Sequence, residues 1–199
     1  KYSSKIAAKV DNSLVQDGYQ LYTHSFIFTE DGKKFAVVQQ GLNHLNKYAR
    51  RYHWLSDNIK SFTLEPHSAI CSDKKENDVL DMTSKESMET QKASLDLVKD
   101  NPNHLKKYIK EPVQKTLINF ENFTMPAHHH IIDMNKRNFE TLKIAHEIQP
   151  SNYEELLSIE GVGPKTIRRL ALISQLIHGT KASWKDPSQF SFTHGGKDG

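Results

Sequence analysis

Cysteine is nearly missing from this 199-residue chain, Cys71 being alone. No internal disulfide framework can hold the fold, and a reducing compartment is the expected setting. No apolar run approaches the roughly 20 residues that a membrane-spanning helix needs, so a cytoplasmic location without a membrane partner is expected. Internal repeats, low-complexity tracts and a secretory leader pattern are absent, as are His-Glu-x-x-His and the paired Asp/Glu signature of a metal-dependent nuclease. Neither sign of charge dominates: 27 Lys and Arg face 24 Asp and Glu, for a net charge of +3 and a pI near 8.8. That balance fits a nucleic-acid partner without requiring one, and any basic surface must be local. The chain opens on Lys1 rather than methionine and closes in Gly195-Gly196-Lys197-Asp198-Gly199, which suggests a piece of a longer protein.

What is present reads as an α+β chain. A 36% hydrophobic content is enough for a real core. Ile6, Val10 and Leu14 recur at helical spacing, predicting an opening helix over 4–15 that ends before Asp17-Gly18. Residues 19–29 and 34–40 are rich in aromatic and β-branched residues, and Asp31-Gly32 between them is a two-residue turn signal. That hairpin sets Phe28 opposite Phe35, Phe26 opposite Val37 and His24 opposite Gln39. A further strand is expected at 60–64, completing a small antiparallel β-meander, with helix between it and the hairpin over 43–55. Thr83 to Glu86 resembles a capping box before a helix containing Met88, Leu95 and Val98. Short helices are expected at 104–110, 113–123 and 138–148. The expected organisation is an α/β-meander region at 1–71, a polar, partly mobile linker and helix at 72–100, and a helical region at 101–199.

The stretch 156–170, Leu-Leu-Ser-Ile-Glu-Gly-Val-Gly-Pro-Lys-Thr-Ile-Arg-Arg-Leu, reads as a short helix, a glycine turn and a basic helix. Gly161 and Gly163 admit positive φ and bring bare backbone close to a ligand, and Pro164 suits the first helical position. The N–H groups of the next turn lack intrahelical partners, and with the helix dipole they attract an anion. Lys165 and Arg168 add charge beside them, so Gly161, Val162, Gly163, Lys165, Thr166 and Arg168 form the expected phosphate-binding set.

Two other polar clusters stand out. Gln39 and Gln40 end a hydrophobic strand, and Arg50-Arg51-Tyr52-His53-Trp54 follows. Arginines pair with phosphates and the three rings offer stacking planes, while the alternative places Tyr52 and Trp54 in the core. Eleven histidines are many for this length. With Glu65 or Asp133 they suit a divalent metal, or one of them a general base. His24, Gln39, Gln40, Arg51, His53 and His67 are the candidate catalytic residues. In the run His128-His129-His130, His128 and His130 share a face if the segment is extended and diverge if it begins a helix.

The 152–178 segment resembles the helix-hairpin-helix element, a non-sequence-specific binder of the DNA backbone, with Ile167 standing where that element usually has a small residue. More widely, Asp17-Gly18-Tyr19-Gln20-Leu21-Tyr22, Asp31-Gly32, Val38-Gln39-Gln40-Gly41, Arg50-Arg51-Tyr52-His53-Trp54, Glu65-Pro66-His67, Gly161-Val162-Gly163-Pro164-Lys165-Thr166 and the C-terminal glycines resemble the signature stretches of an uncharacterised prokaryotic family, domain of unknown function seven hundred and sixty-three. The first resemblance implies DNA as partner, contacted through its phosphates without sequence preference. A nuclease of DNA repair is the leading expectation, and a non-catalytic binding or scaffold module is the alternative. The third reading is a DNA glycosylase with lyase activity through Lys165, which stands where the bifunctional glycosylases carry their Schiff-base lysine, with Asp186 an approximate match to their aspartate.

Overall fold

The computed structural model describes residues 1–105 and 136–190. The chain opens with helix α1 (Tyr2–Ser13), whose buried positions Ile6, Ala7 and Val10 continue into fully buried Leu14. These fall at helical spacing, so one stripe of α1 faces the core. After the short strand β1 (Val15–Gln16) come β2 (Gln20–Phe28) and β3 (Phe35–Leu42), closed by Asp31-Gly32 with Gly32 at φ +68°. Their register pairs Phe28 with Phe35, Phe26 with Val37 and His24 with Gln39, as the turn dictates. A bulge between Leu21 and Thr23 interrupts the ladder at one end.

The third strand lies elsewhere than the sequence suggests. Strand β4 is Ala49–Leu55, inside the stretch expected to be helical, and it pairs along β3. Arg50, Tyr52 and Trp54 alternate inward with at most 1% exposure, and Lys47 just before them sits at φ +65°, which interrupts any helix. Residues 60–64 form no strand, because the Ser61 hydroxyl accepts the backbone N–H groups of Thr63 and Leu64 and curls the segment. Strand β5 (Ala69–Ser72) continues the sheet antiparallel to β4. The fifth strand, β7 (Gln189–Phe190), arrives from the far end of the described chain and pairs with β5 in parallel, giving the order β2-β3-β4-β5-β7. Strand β6 (Leu80–Asp81) pairs with β1 in a separate two-stranded ribbon.

One face of the large sheet is covered by helices. Helix α2 (Met88–Lys99), α3 (Lys136–Ile148), α4 (Tyr153–Ser158) and α5 (Pro164–His178) pack with α1 into one hydrophobic cluster that includes Val37, Trp54, Leu80, Met82, Leu97, Leu142, Leu156, Ile167 and Ile173. Each such fully buried aliphatic side chain contributes about 1.5–3 kcal/mol relative to exposure. The 72–100 stretch, expected to be polar linker and helix, therefore supplies part of the core. The expected capping box is replaced: Ser84 caps the 3-10 turn Lys85–Ser87 by accepting the Glu86 N–H, while the Thr83 hydroxyl turns back to Asp81. Helix α5 carries Pro164 in its first turn and ends at Gly179 with φ +65°. The helix expected at 113–123, all but the start of that at 104–110, His128, His129, His130 and Asp133 lie outside the described residues, as does His194. No described helix is long and apolar enough to cross a membrane.

Candidate functional site

Helices α4 and α5 are joined by residues 159–163. Asn152 caps α4 by accepting the Glu155 N–H at 2.9 Å, and α4 ends in a tight return in which Val162 donates to the Ile159 carbonyl. Gly161 is exposed at φ +84°, a backbone state that disfavours any side chain. It also packs closely, since a Cβ there would meet Thr141 Oγ1 at 2.8 Å. Gly163, the N-terminal flank of α5, has no side-chain cap, and nothing lies within 4 Å of where its Cβ would be. Among the described residues, no acceptor meets the N–H groups of Gly161, Gly163 or Lys165. Lys165 is exposed, and Lys9 of α1 braces the turn from behind by donating to the Ile159 carbonyl at 2.7 Å.

The other members of the expected phosphate-binding set face inward. Val162 and Thr166 are buried, and Val162 anchors the turn in the core. Arg168 is only 7% exposed: it donates to Gln16 Oε1 at 3.1 Å and lies over the Trp184 ring, while Gln16 in turn donates to the Pro164 carbonyl. Burial holds its guanidinium below the usual range, at about 10. Arg168 thus braces the base of α5 and does not present its charge to a surface phosphate. The solvent-facing part of the set is Gly161, Gly163 and Lys165.

The sheet divides the six catalytic candidates into two groups. Strand alternation sends Gln40, Arg51 and His53 to the face away from the helices, where Gln40 stands opposite Arg51. There Arg51 is exposed and His53 half-buried, its imidazole pKa lowered by burial and then by Arg51. The inward face collects His24, Gln39 and His67 around a residue the sequence reading passed over, Asp11 of α1. Asp11 Oδ2 accepts from Gln39 Nε2 and from Trp54 Nε1, the latter at 3.1 Å, and Oδ1 lies 2.5 Å from His67 Nε2. His24 Nδ1 meets Gln39 Oε1 at 2.9 Å, and its Nε2 meets Ser4 Oγ at 2.7 Å. Three nitrogens thus converge on one buried carboxylate, which can only accept when ionised. The signal for it was a charged residue on the apolar stripe of α1, one step past Val10.

Two of the three rings expected to stack on bases are interior: Tyr52 and Trp54 are core residues, while His53 stays on the outer face. His67 packs edge-on against Trp54 at 4.8 Å between centroids. Arg50 is likewise fully buried. It bridges Asp17 at 2.9 Å and Asp186 at 2.7 Å and lies over the Tyr19 ring, so it pins the chain's two halves together and reaches no external phosphate. Asp17 also accepts the Tyr52 hydroxyl at 2.5 Å. Both Asp186 oxygens are committed, to Arg50 and to the N–H groups of Glu76 and Ser188. Asp186 is therefore a structural carboxylate and is not available to assist Lys165.

A cleft of about 380 Å³ opens at His67, walled by Glu65, Asp81, Glu86, Lys185 and Asp186. A second, of about 690 Å³, runs from Gln16 to Asn46 and Val79 and touches Pro164. Among the described residues, no group of three or more His, Cys, Asp or Glu side chains converges as a metal-ligand set.

This chain belongs to the family described as protein of unknown function (DUF763), whose family model matches residues 1–199. No curated protein and no solved structure matches it.

Proposed function

We propose that this chain binds DNA through its phosphate backbone without sequence preference, as part of a cytoplasmic DNA-processing enzyme, with α4, residues 159–163 and α5 serving as a helix-hairpin-helix element. The observation that carries this reading is the exposed turn: Gly161 at φ +84° and uncapped Gly163 leave backbone N–H groups without acceptors among the described residues at the start of a 15-residue helix, beside solvent-facing Lys165. Such donors and the positive end of the helix dipole suit a phosphate. Buried Val162 and the Lys9 bond to Ile159 hold the turn in shape without a ligand, which reduces the ordering cost of binding.

The test is fluorescence anisotropy with labelled single-stranded and duplex oligonucleotides of unrelated sequence. Wild-type affinity should fall steeply with salt and differ little between sequences. Lys165→Glu, on an exposed side chain, should weaken binding by roughly tenfold or more and flatten the salt slope. Equal affinity at low and high salt, or an unaffected Lys165→Glu variant, contradicts the proposal. Lyase chemistry at Lys165 is not favoured, because Asp186 is committed to Arg50.

A further inference from the structure

The cleft at His67 has a charge distribution that singles out two of its residues. Glu65 is neutralised by Lys85 at 2.6 Å, Glu86 by Lys185 at 2.6 Å and Asp186 by Arg50 at 2.7 Å. Asp81 has no ion pair with Lys or Arg among the described residues. Its Oδ1 is fixed by the Thr83 N–H at 2.9 Å and the Thr83 hydroxyl at 2.6 Å, and it lines the same cleft as His67. Burial raises the Asp81 carboxyl above its ordinary value despite the two Thr83 hydrogen bonds, which favours its protonated form.

The other half of the pair is set by Asp11. With its carboxylate accepting from Gln39 and Trp54, the contact at 2.5 Å from His67 Nε2 is a third donation, so the neutral imidazole carries its proton on Nε2. Nδ1 is then the basic nitrogen, and it makes no hydrogen bond with a described residue. The flanking Trp54 and Tyr52 rings and the Asp11 contact hold the imidazole plane in place.

We infer that the cleft lined by His67 and Asp81 is a proton-transfer site for hydrolysing a phosphodiester of a bound nucleic-acid strand. This rests on the DNA-binding reading above. In the reaction, His67 Nδ1 takes a proton from a water molecule whose oxygen bonds to phosphorus. One P–O ester bond breaks, and the departing oxygen takes the proton of the Asp81 carboxyl. One water is added across one P–O bond, and a proton returned from His67 to Asp81 through solvent restores the starting state. His67 and Asp81 are the catalytic residues, and Asp11 is a positioning residue acting through His67.

The experiment uses end-labelled single-stranded and duplex oligonucleotides, with EDTA and again with Mg²⁺, alongside anisotropy on the same strands. Wild type should give shortened products. His67→Gln, which keeps a donor toward Asp11, and Asp81→Asn should lower the cleavage rate by roughly 100-fold or more while binding as wild type does. Circular dichroism confirms that both variants fold. Undiminished cleavage in the two variants, or no cleavage by wild type in either buffer while binding persists, overturns the inference. A wild type that fails to bind overturns the reading of the turn instead. Asp11→Asn should lower kcat with little change in KM and release the His67 tautomer, read from ¹⁵N–¹H correlations of the imidazole. A wild-type His67 carrying its proton on Nδ1 sinks the proposal even if Asp11→Asn fails to fold.

Discussion

Replacing Asp17 by asparagine should change how stability depends on pH, by an amount that follows from one guanidinium standing between two carboxylates. Arg50 carries a single positive charge, is wholly buried, and contacts Asp17 and Asp186 together. It cannot fully neutralise both. The deeper of the two, Asp17, is left undercompensated, and burial pushes its carboxyl from the ordinary 3.8 up to about 6, against the opposing pull of Arg50 and the hydrogen bond from Tyr52. A carboxyl raised on folding binds more protons in the native than in the unfolded state between those two values. Stability from this group is therefore full below about pH 4 and is lost as pH rises through about 6. A carboxyl moved from 3.8 to about 6 on folding carries about 3 kcal/mol in full. The amide of the Asp17→Asn variant cannot titrate, so the stability difference between wild type and variant should change by about 2 kcal/mol between pH 4 and pH 7, moving in favour of the variant as pH rises. Urea denaturation of both proteins at half-unit pH steps measures it. Parallel curves across that range, or a difference that moves in favour of wild type, would refute the assignment of an uncompensated buried charge.

Two stability predictions accompany this one and the DNA-binding and cleavage tests above. Gly161→Ala places a side chain at φ +84° and against Thr141 Oγ1, and should lower stability by about 1–3 kcal/mol; a thermal midpoint equal to wild type would show that the turn relaxes freely. Trp54→Phe removes one donor to the buried Asp11 carboxylate and leaves a small void, and should cost about 2–4 kcal/mol in stability, read from the denaturant midpoint at an unchanged slope.

Local chemistry made several elements legible in the sequence. Asp31-Gly32 fixed the hairpin register residue for residue, and Pro164 marked the start of α5. Strand β4 was illegible because its inward positions include Arg50: the expected alternation of apolar and polar residues is hidden when a buried position is an arginine satisfied by Asp17 and Asp186. Those partners lie 33 and 136 residues away in sequence, beyond the reach of any local pattern. The curl at Ser61 defeated the strand expected at 60–64 in a similar way, through a side-chain hydrogen bond that competes with the ladder. For the candidate site, residue types pointed to His24, Gln39 and His67, but the sheet separates these from Gln40, Arg51 and His53. The focus at Asp11 emerged only once α1 was laid across the strands.

The parallel pairing of β5 with β7 orders events during synthesis. Cys71 and Ser72, paired on one side with β4, find partners on their other side only in Gln189 and Phe190, and Arg50 meets its second carboxylate only at Asp186. A nascent chain emerging from the ribosome therefore holds a buried-to-be cation half matched, and an open sheet margin, until nearly the last described residue has left the exit tunnel. Assembly of this sheet is consequently a late, slow event dominated by distant contacts.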